Sequence, residues 1–100
     1  MATPEGKVKA QLQRALLKTF ARRYIFMPVQ MGYGASTLDY LCCIDGHFVA
    51  FETKAPGKWL TPRQEIVRKA IFAAGGWVFV VDGPESIKAC VSLLAKRINR

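Results

Sequence analysis

The sequence predicts an α/β fold in which a mixed sheet is flanked by helices, in the order α-β-β-β-α-β-α. Three observations lead to this prediction. The dipeptide Asp45-Gly46 separates two strand-like runs and is typical of a hairpin, so those strands should be antiparallel. A helical segment then separates the hairpin from an apolar run, which predicts a crossover to a roughly parallel strand. The length of 100 residues fits a single domain over residues 1–100.

Two of the three helices are predicted from the same start signal, a Thr-Pro pair. In such a pair Thr serves as the N-cap and Pro takes the first helical position. Thr3-Pro4 opens the first helix, whose apolar residues recur at helical spacing as far as Phe20. Thr61-Pro62 opens the second helix, which should end at Gly75-Gly76. The third helix is predicted over residues 85–97, after a turn at residues 82–84.

The four strands are predicted from short runs of β-branched, aromatic and other apolar residues, at 24–29, 38–44, 47–54 and 77–81. A loop with two glycines, Gly32 and Gly34, lies between the first two of these runs. Because the strands are apolar over most of their length, we expect the sheet to be covered on both faces.

The charge of the chain favours a polyanionic partner. The formal net charge is +8, from 15 Lys and Arg against 7 Asp and Glu. Nucleic acid suits such an excess better than an anionic membrane surface, although the charge also serves solubility alone. No run of about 18–20 apolar residues could span a bilayer, and the first residues lack the order of a signal peptide. We therefore expect a cytoplasmic protein whose cysteines are buried free thiols.

The hairpin turn also predicts which side chains meet across the two strands. If Asp45-Gly46 is a two-residue loop, counting back from it places Asp39 directly opposite Glu52. Lys54 is two residues from Glu52 and therefore shares its face of the sheet. One patch of the sheet should thus carry two carboxylates and an ammonium group, with the backbone carbonyl of Thr53 beside them.

This combination of groups suits metal-dependent chemistry on a phosphate. Opposed carboxylates repel each other, and Mg²⁺ takes oxygen ligands, often one or two carboxylates together with substrate phosphate. A metal ion polarises a phosphodiester and activates water, while a lysine stabilises the developing charge. The pattern therefore predicts a site for phosphodiester cleavage at Asp39, Glu52 and Lys54. A simpler interpretation is that Asp39 begins an exposed strand and that Glu52 and Lys54 form a surface salt bridge.

The same residues resemble a known motif. Asp39 followed by Glu52-Thr53-Lys54 is similar to the motif of the PD-(D/E)XK nucleases. Residues 51–58 together with 60–64 resemble the VRR-NUC group, a minimal form of that restriction-endonuclease-like fold, and the resemblance extends over residues 5–88. One position departs from the pattern, because Leu38 stands where the superfamily usually has Pro before the first Asp.

The resemblance implies a role for each matching residue. The two carboxylates, with the carbonyl of Thr53, would bind Mg²⁺ or Mn²⁺, and Lys54 would act on the attacking water or on the phosphate. Gln64 matches a polar residue that supports the active site, and Glu5 matches an acid that often completes the metal site. Both also have a structural interpretation: Gln64 could close a capping box with Thr61, and Glu5 lies in a first helical turn, where acids are favoured.

Residues that follow the site closely are candidates for DNA contacts. Four of them are basic and are predicted to bind phosphates, with a solvated helix face as the alternative: Lys58, Arg63, Arg68 and Lys69. Trp59 could either stack on a base or pack on the core.

Two functional hypotheses of different class follow. The first is a Mg²⁺- or Mn²⁺-dependent DNA endonuclease. The stand-alone members of the group it resembles are homodimeric enzymes for branched DNA such as four-way junctions, and a compact enzyme of this kind would suit a phage. The second is a non-catalytic nucleic-acid-binding module, or a subunit of a replication or repair assembly, which the charge supports equally well. The opposed carboxylates favour the first, because phosphate binding alone gains nothing from them.

Overall fold

The elements follow one another in the predicted order and form an α/β fold with a mixed four-stranded sheet and three helices. This computed structural model describes residues 3–29 and 37–98. The elements within those ranges are α1 (Pro4–Thr19), β1 (Arg23–Phe26), β2 (Tyr40–Ile44), β3 (His47–Thr53), α2 (Pro62–Ala73), β4 (Trp77–Val81) and α3 (Pro84–Ile98).

The boundaries differ from the predicted ones by a few residues at the first two strands. β1 begins at Arg23 and ends at Phe26, before Pro28, which has no backbone N–H to donate to a neighbouring strand. β2 begins at Tyr40, two residues later than predicted. The loop predicted around Gly32 and Gly34 lies outside the described residues.

The hairpin forms with the predicted turn and register. Asp45 and Gly46 have φ angles of 48° and 84°, so both residues are in the left-handed region that a type I′ turn requires. The strand pairs that follow from a two-residue loop are all observed, from Ile44 opposite His47 to Tyr40 opposite Phe51.

The sheet order is β1-β2-β3-β4, antiparallel except between β3 and β4. The parallel pairing of these two strands confirms the predicted crossover through α2. Thr53 pairs with Val81, so the carboxyl ends of β3 and β4 meet at the same edge of the sheet.

The core lies on one face of the sheet, here called the inner face. Alternate residues of β2 and β3 point towards α1 and α3, which also pack against each other. The buried side chains of this core include Leu12, Leu16, Tyr40, Phe51 and Leu94. Among residues 3–29 and 37–98, no helix is both long and apolar enough to cross a membrane.

The opposite, outer face is covered only in part. α2 packs over β4. A Cβ atom added at Gly76 would meet Ile71 of α2 and Phe48 of β3, so the helix closely approaches the sheet there. The prediction of a sheet covered on both faces is therefore right for the part of the outer face beneath α2.

The prediction is wrong for the outer face of β1, β2 and the start of β3, which no described helix covers. The side chains of Tyr24, Phe26 and Phe48 are 67%, 48% and 47% exposed. Together with Leu41 and Cys43 they line an open apolar cavity of about 410 Å³. These five residues are called the outer patch below.

The cysteines divide between the two faces, as adjacent strand positions must. Cys42 and Cys90 are buried in the core, and burial raises the pKa of their thiols to about 11 and about 12. Cys43 is exposed on the outer patch, so the expectation of buried thiols is wrong for this residue.

Candidate active site

Asp39 and Glu52 meet where β2 begins and β3 ends. One step beyond the pair Tyr40–Phe51, the register places the two acids opposite each other. The backbone N–H of Asp39 donates to Oε1 of Glu52 over 3.0 Å. The pairing predicted from the hairpin turn is thus present as a direct contact.

The Asp39 side chain is held by Thr53, the last residue of β3. Oδ2 of Asp39 accepts hydrogen bonds from the Thr53 backbone N–H at 3.1 Å and from the Thr53 hydroxyl at 2.6 Å. Thr53 is fully buried, so its hydroxyl is a fixed donor. The sequence motif identified Thr53 only through its backbone carbonyl, and the hydroxyl contact is an additional finding.

Lys54 lies on the same side as Glu52, as strand alternation predicts. Its Nζ is 3.6 Å from Oε2 of Glu52, and the two side chains are 13% and 4% exposed. The pair is therefore nearly buried and differs from the surface salt bridge of the simpler interpretation.

Burial raises the pKa of Glu52, and the neighbouring Asp39 carboxylate raises it further. The Asp39 backbone N–H and Lys54 act in the opposite direction but do not outweigh these effects. The ionised Glu52 is therefore less stable here than in water. A further positive charge at this position would stabilise it.

Gln64 closes the predicted capping box and also contacts Glu52, while its role in catalysis stays a prediction. It closes the capping box of α2: Oε1 of Gln64 accepts from Thr61 N, and Gln64 N donates to Thr61 Oγ1. Its Nε2 donates to Oε2 of Glu52 at 2.9 Å. The start of α2 is therefore tied to the acidic pair through a single side chain.

Asp82 also lies in the site region, although its sequence context predicted it only as part of a turn. It follows β4, and its Oδ2 accepts from the backbone N–H of Gly57, in the loop directly after Lys54. Ser86 donates to Oδ1 of Asp82, and these hydrogen bonds lower the pKa of the Asp82 carboxyl. The signal that could have found it is the position of Asp82 at the end of a strand parallel to β3, since the ends of parallel strands lie together.

The donor set at this edge fits a hard divalent cation. Two adjacent carboxylates, one of them destabilised in its charged form, are what Mg²⁺ sites use when water and substrate phosphate supply the other ligands. Within the described ranges no group of three His, Cys, Asp or Glu side chains is placed to hold a metal. Glu5, the predicted further ligand, lies 4.0 Å from Lys9 in a surface pair, and its metal role stays a prediction.

The predicted DNA-contacting residues differ in their surroundings. Lys58, Arg63 and Lys69 are exposed. Arg68 is partly buried and makes two hydrogen bonds to the Glu65 carboxylate, at 2.7 and 3.2 Å. Arg68 is therefore already engaged, and its contact with DNA stays a prediction.

Trp59 precedes α2 and is 64% exposed. Of the two alternatives left by the sequence, core packing is excluded, and a free indole ring lies five residues after Lys54.

Comparison of the chain with protein-family models, with curated proteins and with solved structures gives no match.

Proposed function

We propose that this chain is a divalent-metal-dependent DNA endonuclease with a minimal restriction-endonuclease-like fold of the VRR-NUC type. The observation that carries the proposal is the pair of opposed carboxylates, Asp39 and Glu52, with the ammonium of Lys54 3.6 Å from Glu52. The order of helices and strands is compatible with such a fold.

Asp39 and Glu52 would hold Mg²⁺ or Mn²⁺, with the Thr53 carbonyl as a further oxygen ligand. When bound, the cation would supply Lewis-acid polarisation of the phosphodiester. Thr53 fixes the orientation of the Asp39 carboxylate through two hydrogen bonds, and Gln64 fixes that of Glu52. Such preorganisation avoids rearrangement during the reaction.

Lys54 would donate from its ammonium group to a phosphate oxygen or to the attacking water. Its nearly buried position supports this role, because a hydrogen bond from a charged donor is stronger where water is excluded. In the absence of substrate the same ammonium pairs with Glu52, which keeps it at the site.

DNA would be bound by the basic residues around this edge and by Trp59. Lys58, Arg63 and Lys69 would contact phosphates, and the exposed indole would stack on a base. The alternative of a non-catalytic binding module is less well supported. It would place two carboxylates, one of them raised in pKa, against a phosphate backbone without any gain in affinity.

A homodimer acting on branched DNA in the cytoplasm completes the proposal. The support for a dimer is the outer patch, where three aromatic side chains are about half exposed or more. A two-fold symmetric dimer would carry two such sites and could cut two strands in symmetric relation.

The test is cleavage of plasmid and four-way-junction DNA in Mg²⁺, Mn²⁺ or EDTA by the wild type, Asp39→Asn and Lys54→Gln. We expect cleavage by the wild type only with a divalent cation, no detectable cleavage by Asp39→Asn, and a decrease of about 10²–10³-fold in kcat for Lys54→Gln. Lys96→Gln removes an exposed lysine on α3 and is the control that should cut normally.

Cutting in EDTA, or undiminished cutting by Asp39→Asn, would overturn the mechanism. Tight DNA binding without cleavage of any substrate would favour the binding module.

A further inference from the structure

The helical layer contains a basic groove between α1 and α3, away from the residues used above. The groove has a volume of about 410 Å³, and among its lining residues are Gln11, Arg14, Lys18, Lys88, Val91 and Ser92. Its lining includes three cationic side chains and no acidic one. It is called the α1–α3 groove below.

The cations of the groove form no ion pair among the described residues. Within the described ranges no carboxylate lies within 4 Å of Arg14, Lys18 or Lys88, although α1 forms such a pair between Glu5 and Lys9. Three exposed positive charges thus face one concave surface without compensation.

The groove begins close to the edge of the sheet that carries the acidic pair. Pro84 lines it, two residues after Asp82, whose carboxylate holds the loop at Gly57. Two residues span at most about 8 Å, since consecutive Cα atoms are about 3.8 Å apart. In addition, the Lys54 N–H donates to the Val81 carbonyl at 2.9 Å. Glu52 and Lys54 lie on the outer face, where Gln64 of α2 contacts Glu52, so a nucleic acid strand would reach the groove by passing around this edge of the sheet.

We propose that the α1–α3 groove binds backbone phosphates of the nucleic acid strand that flanks the cleavage position. Arg14 and Lys18 are one helical turn apart, so they share a face of α1 and are separated by about 6 Å along its axis. Lys88 of α3 faces them across the groove. The inference rests on the proposed function for the identity of the strand but concerns binding rather than cleavage.

The experiment compares two triple variants with the same change in net charge. The groove variant is Arg14→Gln, Lys18→Gln, Lys88→Gln. The control variant is Lys9→Gln, Arg22→Gln, Lys96→Gln, which removes one Arg and two Lys from other exposed or partly exposed positions. Gln is a good helix former, so both variants should fold, as circular dichroism would check.

Binding of duplex and four-way-junction DNA is measured by fluorescence anisotropy in EDTA over a series of salt concentrations. Each phosphate contact contributes about 0.9 to the slope of log K against log salt concentration. We expect the magnitude of this slope to decrease by roughly two to three in the groove variant and by less than about one in the control variant. The conservative variant Arg14→Lys, Lys18→Arg, Lys88→Arg should bind as the wild type does.

An unchanged slope in the groove variant, or equal losses in both triple variants, would overturn the inference. The inference would also be overturned if the groove variant lost binding to phosphatidylserine vesicles but kept its DNA binding, because the groove would then bind a membrane surface. Because binding is measured without metal, this outcome is separate from the cleavage test. If the wild type cuts and the slope is unchanged, only the groove inference fails; if nothing cuts and the slope falls, only the nuclease proposal fails.

Discussion

The Glu52 carboxyl group lies in a nearly buried position, 3% exposed, beside the carboxyl group of Asp39. Both surroundings raise its pKa, so ionisation of Glu52 opposes folding. The stability that Glu52 contributes is therefore fully present below its unfolded pKa and is lost as the pH rises through its folded pKa. A protein that retains such an arrangement on its sheet does so at a cost in stability, which is typical of functional sites.

The first prediction concerns the pH dependence of this cost. Asp39→Asn removes the neighbouring charge, while the amide oxygen can still accept both hydrogen bonds from Thr53. Between pH 5 and pH 8 the wild type should lose more stability than the variant, by roughly 0.2–1 kcal/mol, the range for cross-strand charge pairs. Chemical denaturation of the metal-free protein at both pH values measures the difference.

The matched control for this prediction is Asp45→Asn. Asp45 pairs with Arg22 at 3.0 Å on the surface, and Asn tolerates the positive φ of this turn position. The stability of the Asp45→Asn variant should change with pH over the same interval as the stability of the wild type does. Overlapping profiles for Asp39→Asn and the wild type would mean that the two carboxylates are not coupled.

At the scale of elements, the start of α2 is connected to the acidic pair. Gln64 uses one end of its amide to close the capping box with Thr61 and the other to donate to Glu52. The two contacts share one side chain, so the position of α2 and the orientation of Glu52 depend on each other.

The second prediction separates these two contacts. Thr61→Ala removes the hydroxyl that accepts from Gln64 N but keeps the backbone N–H that donates to the Gln64 side chain. It should cost about 1 kcal/mol of stability and leave kcat unchanged. Gln64→Ala should cost a similar amount and also lower kcat, because Glu52 loses a hydrogen-bond donor. Equal kcat values for both variants would contradict the positioning role of Gln64.

Features that depend on neighbouring residues could be predicted from the sequence, whereas features that depend on contacts between distant residues could not. Asp45-Gly46 determines a turn, and the turn determines every pair of the hairpin, so Asp39 and Glu52 could be placed opposite each other from sequence. The contact of Asp82 with Gly57 does not follow from local sequence, because Gly57 lies 25 residues away in the loop after β3, and only the parallel pairing of β3 and β4 indicates that the two segments meet. The uncovered outer face was also missed, since β2 is apolar on both of its faces and alternation gives no contrast.

The third prediction tests the alternation of β2 through its thiols. The variant Cys43→Ser retains only Cys42 and Cys90, whose pKa values of about 11 and about 12 keep them protonated at pH 8. Both are also buried in the core. The native variant should react with a thiol reagent no faster than it unfolds, whereas two thiols should react at once in denaturant. Fast reaction of the native variant would show that Cys42 or Cys90 is accessible to solvent and would contradict their burial.

At the scale of the whole molecule, three kinds of surface lie in different places. The acidic pair lies where β2 begins and β3 ends, the α1–α3 groove lies in the helical layer, and the outer patch lies on the opposite face of the sheet from those helices. The basic groove and the apolar outer patch are therefore separated. A partner that is a polyanion and a partner that is apolar could bind at the same time.

The last prediction follows from this separation and concerns the outer patch as the dimer interface. The net charge of +8 disfavours the approach of two copies through their basic surfaces, whereas the outer patch is apolar and partly aromatic. Phe48→Glu places a charge in this patch without affecting the inner core, so it should convert the dimer to a monomer. Leu93→Glu, at a similarly exposed apolar position on α3 (43% against 47%), should remain dimeric.

Light scattering after gel filtration distinguishes a mass near the 11.1 kDa of one chain from twice that value. A monomeric wild type at high protein concentration, or dissociation of both variants, would exclude this interface, and cleavage of the two strands of a junction would then have to occur independently.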